Sequence, residues 1–196
     1  KERASGRYAV LTAGHCATER NIRTYQAIYQ GKRHIGWMMY YQEGAASPYG
    51  VGVDAAFIRT RSGSIAIDNI LHLGTSRDIQ GETSDYTIGK NRCWSGQKTG
   101  GTRCGPITCQ NLEFQDGSSG LWNNVVFSMD AAPIPGYSGA PAYEVLAGSG
   151  NVSLLVTGIM FARTDPPFAA CMNGIDGLGS RWQDISNFYG LTLVTK

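Results

Sequence analysis

Short stretches in which β-branched and aromatic residues cluster, each bounded by Gly, Ser, Asp or Asn, recur along nearly the whole chain. They predict strands over residues 8–13, 24–29, 35–41, 55–59, 69–73, 85–88, 105–114, 121–129 and 153–162. The run Asp-Gly-Ser-Ser-Gly at 116–120 is the clearest hairpin signal between two of them. Many strands at short spacing indicate an all-β sandwich or barrels.

Helical periodicity is well marked in one place, the C-terminus. Trp182, Ile185, Phe188 and Tyr189 fall on one face, Ser180 precedes Gln183 by three as in a capping box, and Gly190 follows as a helix stop. The polar stretch 76–84 reads as a linker, dividing the chain into an N-terminal unit (1–75) and a C-terminal unit (85–196). The longest apolar run, 154–162, is about half a membrane span, so no membrane partner is expected.

Composition narrows the class. Charged residues make up 16% of 196, and Gly, at 26 residues, is about twice its usual ~7%, which favours tight turns over long surface helices. The net charge is +2 with Lys and Arg scattered singly, so no nucleic-acid footprint is visible. Five Cys without C-x-x-C spacing fit a disulfide-bearing secreted protein better than a zinc or redox site. The Cys104-x4-Cys109 spacing lacks a nearby His or further Cys, so no metal and no cofactor is expected.

Three segments carry chemistry: Leu11-Thr12-Ala13-Gly14-His15-Cys16, Val53-Asp54-Ala55-Ala56-Phe57-Ile58 and Pro135-Gly136-Tyr137-Ser138-Gly139-Ala140-Pro141. A serine hydroxyl is a weak nucleophile at neutral pH and needs an imidazole to take its proton; the imidazole needs a carboxylate to fix its tautomer. Ser138, His15 and Asp54 supply these groups. All three His (15, 34, 72) precede Ser138, which excludes the α/β-hydrolase order, and no Asp precedes His15, which excludes the subtilisin order. His…Asp…Ser remains. His34 and His72 read as ordinary side chains.

With those motifs in that order, the sequence resembles the chymotrypsin-like serine proteases, in particular the bacterial streptogrisin and α-lytic protease branch. LTAGHC is similar to the family's histidine motif, DAAFI to its aspartate motif, and GYSGAP to its serine motif with two departures. The stretch 93–105 (CWSGQKTGGTRCG) resembles the branch's C-x-S-G hairpin with one residue inserted, and 182–193 its terminal helix and last strand. The resemblance implies two perpendicular six-stranded antiparallel barrels with a C-terminal helix. It implies His15 as general base, Asp54 as its orienter, Ser138 as nucleophile, and backbone N–H groups of Gly136 and Ser138 as the oxyanion hole. The function implied is a secreted, monomeric serine endopeptidase acting on proteins or peptides; the alternative is a protease-fold binding protein without turnover.

Where the motifs depart, expectations change. Tyr137 stands where the family has an Asp that ion-pairs on activation. The substrate pocket would be formed by Ala132, Pro133, Phe161 and Arg163. Ala132 lies six residues before the serine and brings no carboxylate, so no preference for Arg or Lys is expected, and an acidic preference only if Arg163 points inward. The resemblance pairs Cys93 with Cys104 and places Cys171 in a disulfide for which Cys109 is the spare partner, leaving Cys16 alone. The chain opens at Lys1 with no leader pattern, as a processed product would. A segment upstream, carrying the earliest strand or strands of the first barrel and the partner of Cys16, is accordingly expected to be missing.

Overall fold

In the computed structural model, residues 1–45, 52–61, 69–96, 101–115, 119–147, 152–164, 169–172 and 175–195 are described. The elements run β1 (Ala9–Thr12), α1 (His15–Thr18), β2 (Ala27–Gln30), β3 (Arg33–Glu43), β4 (Asp54–Thr60), β5 (Asn69–His72), β6 (Thr75–Glu82), β7 (Asn91–Ser95), β8 (Thr102–Gln115), β9 (Trp122–Met129), β10 (Pro141–Ala147), β11 (Val152–Arg163), β12 (Gly177–Arg181) and α2 (Trp182–Tyr189).

Strands β1, β4, β3 and β2 form one sheet in that order; the rest form a second, in which β10-β7-β8-β9-β12-β11 closes on itself through β10–β11 pairing. That closed six-stranded antiparallel barrel removes the free edges of its own strands. Strand β6 is attached outside it, parallel to β11, and β5 pairs with β6. Among the described residues the first sheet has four strands rather than the six of a full barrel.

The near-continuous apolar run of β4 follows from burial on both faces. Ala55 and Phe57 face a core shared with Ile79, Leu154, Val156, Ile159 and helix α2, while Ala56 and Ile58 face Ala17 and Met38. In β3 a register shift between Met38 and Tyr40 accompanies the burial of the adjacent Met38 and Met39 in these two different clusters. Helix α2 joins the sheets: Trp182 and Ile185 are buried with Phe57, and Tyr189 Oη donates to Ala55 O at 2.7 Å. Gly190 ends the helix in the left-handed region, φ 63°, as its sequence position suggested.

Several local readings change. The stretch 76–84, expected to link two halves, is mostly β6, because Ile79 is buried against Leu154 and tertiary pairing overrides a polar composition. Residues 85–88 are not a strand: Asp85 Oδ1 accepts the N–H of Thr87 at 3.0 Å, a side-chain turn that competes with a ladder. Strands β10 and β12 are not among the expected ones, whereas β7 is the first arm of the 93–105 hairpin. Ser180 does not cap α2, whose N-cap is Arg181 with no side-chain bond, and Phe188 is exposed rather than on the packed face. The hairpin turn at 116–118 and the tip of the 93–105 hairpin at 97–100 lie outside the described residues.

Two disulfides are present, Cys93–Cys104 across the β7–β8 hairpin and Cys109–Cys171, and Cys16 is a free thiol. Both pairings match those expected.

Candidate active site

His15 opens the single-turn helix α1 directly after β1, and Asp54 is the first residue of β4, the strand paired with β1. Pairing of Thr12 with Ala56 carries the imidazole to the carboxylate: His15 Nδ1 lies 2.8 Å from Asp54 Oδ2. Asp54 is buried, and its Oδ1 accepts the backbone N–H groups of Gly14 and, at 3.1 Å, His15. The carboxylate therefore holds both the ring and the backbone that carries it. The hydrogen bond to Asp54 is the main cause of an upward shift of the His15 pKa to about 10, with a smaller contribution from Cys16.

Ser138 belongs to the other sheet's territory, in the turn that leads into β10. Gly139, at φ 87°, hydrogen-bonds through its N–H to Met160 O at 2.8 Å. A Cβ there would approach Ala13 N to 3.0 Å and Thr12 Oγ1 more closely, so only glycine lets this turn dock against the end of β1. That docking is what places Ser138 across from His15. Both line a cleft of about 390 Å³ with Cys16, Gly136, Met38 and Ile58. Ser138 Oγ donates to Phe161 O at 3.4 Å, and His15 Nε2 lies 3.8 Å from Cys16 Sγ.

Gly136 adopts φ 95°. Around it Tyr137 N–H bonds Ile134 O at 3.2 Å and Ala140 N–H bonds Tyr137 O at 2.9 Å, whereas the N–H groups of Gly136 and Ser138 have no acceptor among the described residues. Two unspent donors on either side of one residue, at the lip of the cleft, suit an anionic oxygen.

The other sequence candidates are placed as follows. Pro133 is buried, within 2.8 Å of where a Cβ on Gly177 would lie, and Ala132 is half-buried beside it. The Phe161 side chain is buried among Cys109, Val126 and Leu178, so it is the carbonyl of Phe161 that faces Ser138. Arg163 is exposed, which removes the inward cation on which an acidic preference depended. His34 Nε2 bonds Gly36 O at 2.9 Å, and His72 is buried with Nδ1 3.1 Å from Tyr143 Oη. Among the described residues no group of three His, Cys, Asp or Glu could hold a metal ion.

Ser180 holds Asp54 instead of capping α2. Its Oγ accepts the backbone N–H of Asp54 at 3.1 Å and donates to the backbone Asp54 O at 3.5 Å, bracing the main chain that carries the carboxylate from β12. Its position three before Gln183 imitates a helix cap, so local sequence offers no signal for this role.

No protein-family model matches the sequence, and no curated protein matches it. Solved structures do share its fold. Nocardiopsis protease superposes with a TM-score of 0.70 at 21% identity, covering 98% of this chain and 88% of that one. Thermobifida fusca protease A gives 0.69 at 21% identity, over 97% and 87%. Cellulomonas bogoriensis chymotrypsin gives 0.67 at 23% identity, over 95% and 85%. The chain thus has the chymotrypsin-like fold.

Proposed function

We propose that the protein is a secreted serine endopeptidase, with Ser138 as nucleophile, His15 as general base and acid, and Asp54 as the group that orients His15. The observation that carries this reading is the 2.8 Å contact between His15 Nδ1 and the buried Asp54, facing Ser138 and the two free N–H groups across one cleft. The shared fold with three bacterial proteases supports it.

In this reading Ser138 Oγ leaves Phe161 O for His15 Nε2 and attacks the scissile carbonyl carbon as its proton passes to Nε2. The carbonyl π pair moves to oxygen, which the N–H groups of Gly136 and Ser138 receive. Collapse breaks the C–N bond, and the Nε2 proton goes to the departing amine. Water then repeats the sequence on the acyl ester, giving its proton to Nε2, and Ser138 recovers a proton as the acid leaves.

A fluorophosphonate probe tests the assignment, since it labels only an activated serine. The expected adduct is on Ser138 and is absent in His15→Ala. An unlabelled chain leaves a binding protein without turnover, and an adduct elsewhere overturns the assignment of nucleophile.

The pH profile follows from the raised His15 value. Protonated imidazole cannot accept the serine proton, and Asp54 keeps His15 protonated to higher pH, so the active neutral form accumulates only as pH rises toward about 10. Half-maximal peptide hydrolysis is expected above the ordinary imidazole value of about 6.5. The stabilising effect has the opposite slope. It is full below that ordinary value and fades as pH rises through the raised one. A rate against pH curve with its acid limb centred below 6.5 would contradict this.

Thiol chemistry gives a separate check. Titration of the denatured, unreduced chain is expected to find one free thiol, Cys16. In the native protein, alkylation of Cys16 with iodoacetamide is expected to abolish hydrolysis, because the adduct occupies the space beside His15 Nε2. Full activity after stoichiometric alkylation would show that Nε2 does not work from that side.

A further inference from the structure

Tyr137 lies between the two residues whose N–H groups are free, so whatever holds its side chain also fixes the peptide planes on either side. It is 2% exposed, and its ring meets that of Trp94, also 2% exposed, with centroids 4.9 Å apart at 63°. The ring rests on bare backbone: a Cβ on Gly96 would overlap Tyr137 Cδ1 and Cε1. The seat is therefore fitted to this ring, by a glycine two residues beyond the tryptophan.

Trp94 holds more than the ring. Its Nε1–H donates to Ala131 O at 2.6 Å, at the start of the segment that leads to Ser138, and it pairs in register with Ala142, in the strand just beyond. One residue of β7 thus grips this segment at its beginning, middle and end. Around the two rings pack Tyr86, Phe127, Met129 and Met160, an apolar bed. Such a bed resists rearrangement because packing at this density does not deform continuously.

We propose that Trp94 and Tyr137 are positioning residues that set the Gly136 and Ser138 N–H groups toward one point by ring packing. The proposal rests on the hydrolytic reading above and extends it: the oxyanion hole forms without an ion pair at position 137. Neither ring touches substrate. They act through the peptide planes of the loop, which is pre-organised and needs no charge to arrive before the donors converge.

The test compares Tyr137→Phe, Tyr137→Leu and Trp94→Phe in the full chain, with circular dichroism to establish folding. Tyr137→Leu stays apolar but has no ring for Trp94. It is expected to lower kcat by about 10²-fold or more with KM within about threefold, and to weaken a peptide boronate, which mimics the tetrahedral state, by a similar factor. Tyr137→Phe keeps the ring and is expected to restore kcat to within about threefold of the parent, because the aromatic contact is retained. Trp94→Phe loses the bond to Ala131 and is expected to fall between them, at about tenfold. Hydrogen exchange over residues 131–140 should accelerate in Tyr137→Leu and stay slow in Tyr137→Phe. A folded Tyr137→Leu with parental kcat, boronate affinity and exchange overturns the proposal; if that variant does not fold, parental values in Trp94→Phe do the same. A parent chain that neither cleaves peptide nor binds boronate removes the hydrolytic reading, and exchange then still decides whether the rings order the loop.

Discussion

Ser138→Ala is expected to lower kcat/KM on a peptide amide by about 10⁴-fold or more, and His15→Ala by a similar factor. The two losses should not add, because the hydroxyl and the imidazole act on one proton: without either, the other has nothing to do. The double variant should therefore retain the same residual rate as each single one, the remainder supplied by the Gly136 and Ser138 donors and by substrate binding. Steady-state kinetics of the three variants decide this. A double variant slower by the product of the two single effects would mean that the groups work independently, and the assignment would fail.

Asp54→Asn should be nearly as severe, at about 10³- to 10⁴-fold in kcat. The carboxylate accepts three hydrogen bonds, from His15 Nδ1 and from the N–H groups of Gly14 and His15. An amide offers one accepting oxygen. If that oxygen keeps the two backbone donors, the NH₂ group faces Nδ1 and selects the tautomer with its proton on Nε2, where it blocks the serine. The variant should fold, since the side chain keeps its size, and the acid limb of the residual activity should move back toward the ordinary imidazole value. An Asp54→Asn protein with kcat within tenfold of the parent would show that Asp54 does not orient the base.

What could be read from the sequence was what local pattern controls. Strand β4 announces itself because both its faces are buried, and the apolar run Ala55 to Ile58 needs no knowledge of neighbours. The order of the proposed catalytic residues His15, Asp54 and Ser138 is legible for a different reason: nucleophilic chemistry restricts residue type more than packing does. Strand β12, Gly-Leu-Gly-Ser-Arg, has the opposite character. Its glycines are poor strand formers, yet a Cβ at Gly179 would strike Phe127 and one at Gly177 would strike Met160, so the fold demands there what local propensity argues against. Strand β6 is polar and reads as a link, because only its pairing with β11 makes it a strand. The outward course of Arg163 and the role of Ser180 are likewise settled by elements far away in the chain.

The bond from the backbone N–H of Asp54 to Ser180 Oγ spans 126 positions and ties β4 of the first sheet to β12 of the second. His15 and Asp54 are carried by the first sheet and Ser138 by the turn that leads into β10 of the second, so the proposed reaction would run across the seam between them. A slip of about 1 Å along that seam, too small to melt any strand, is enough to cost 10²-fold in rate. Under the proposed function, hydrolysis would be a strain gauge for the seam: on warming, the rate should collapse while the ellipticity of the sheets still holds, and Ser180→Ala should widen the gap between the two temperatures.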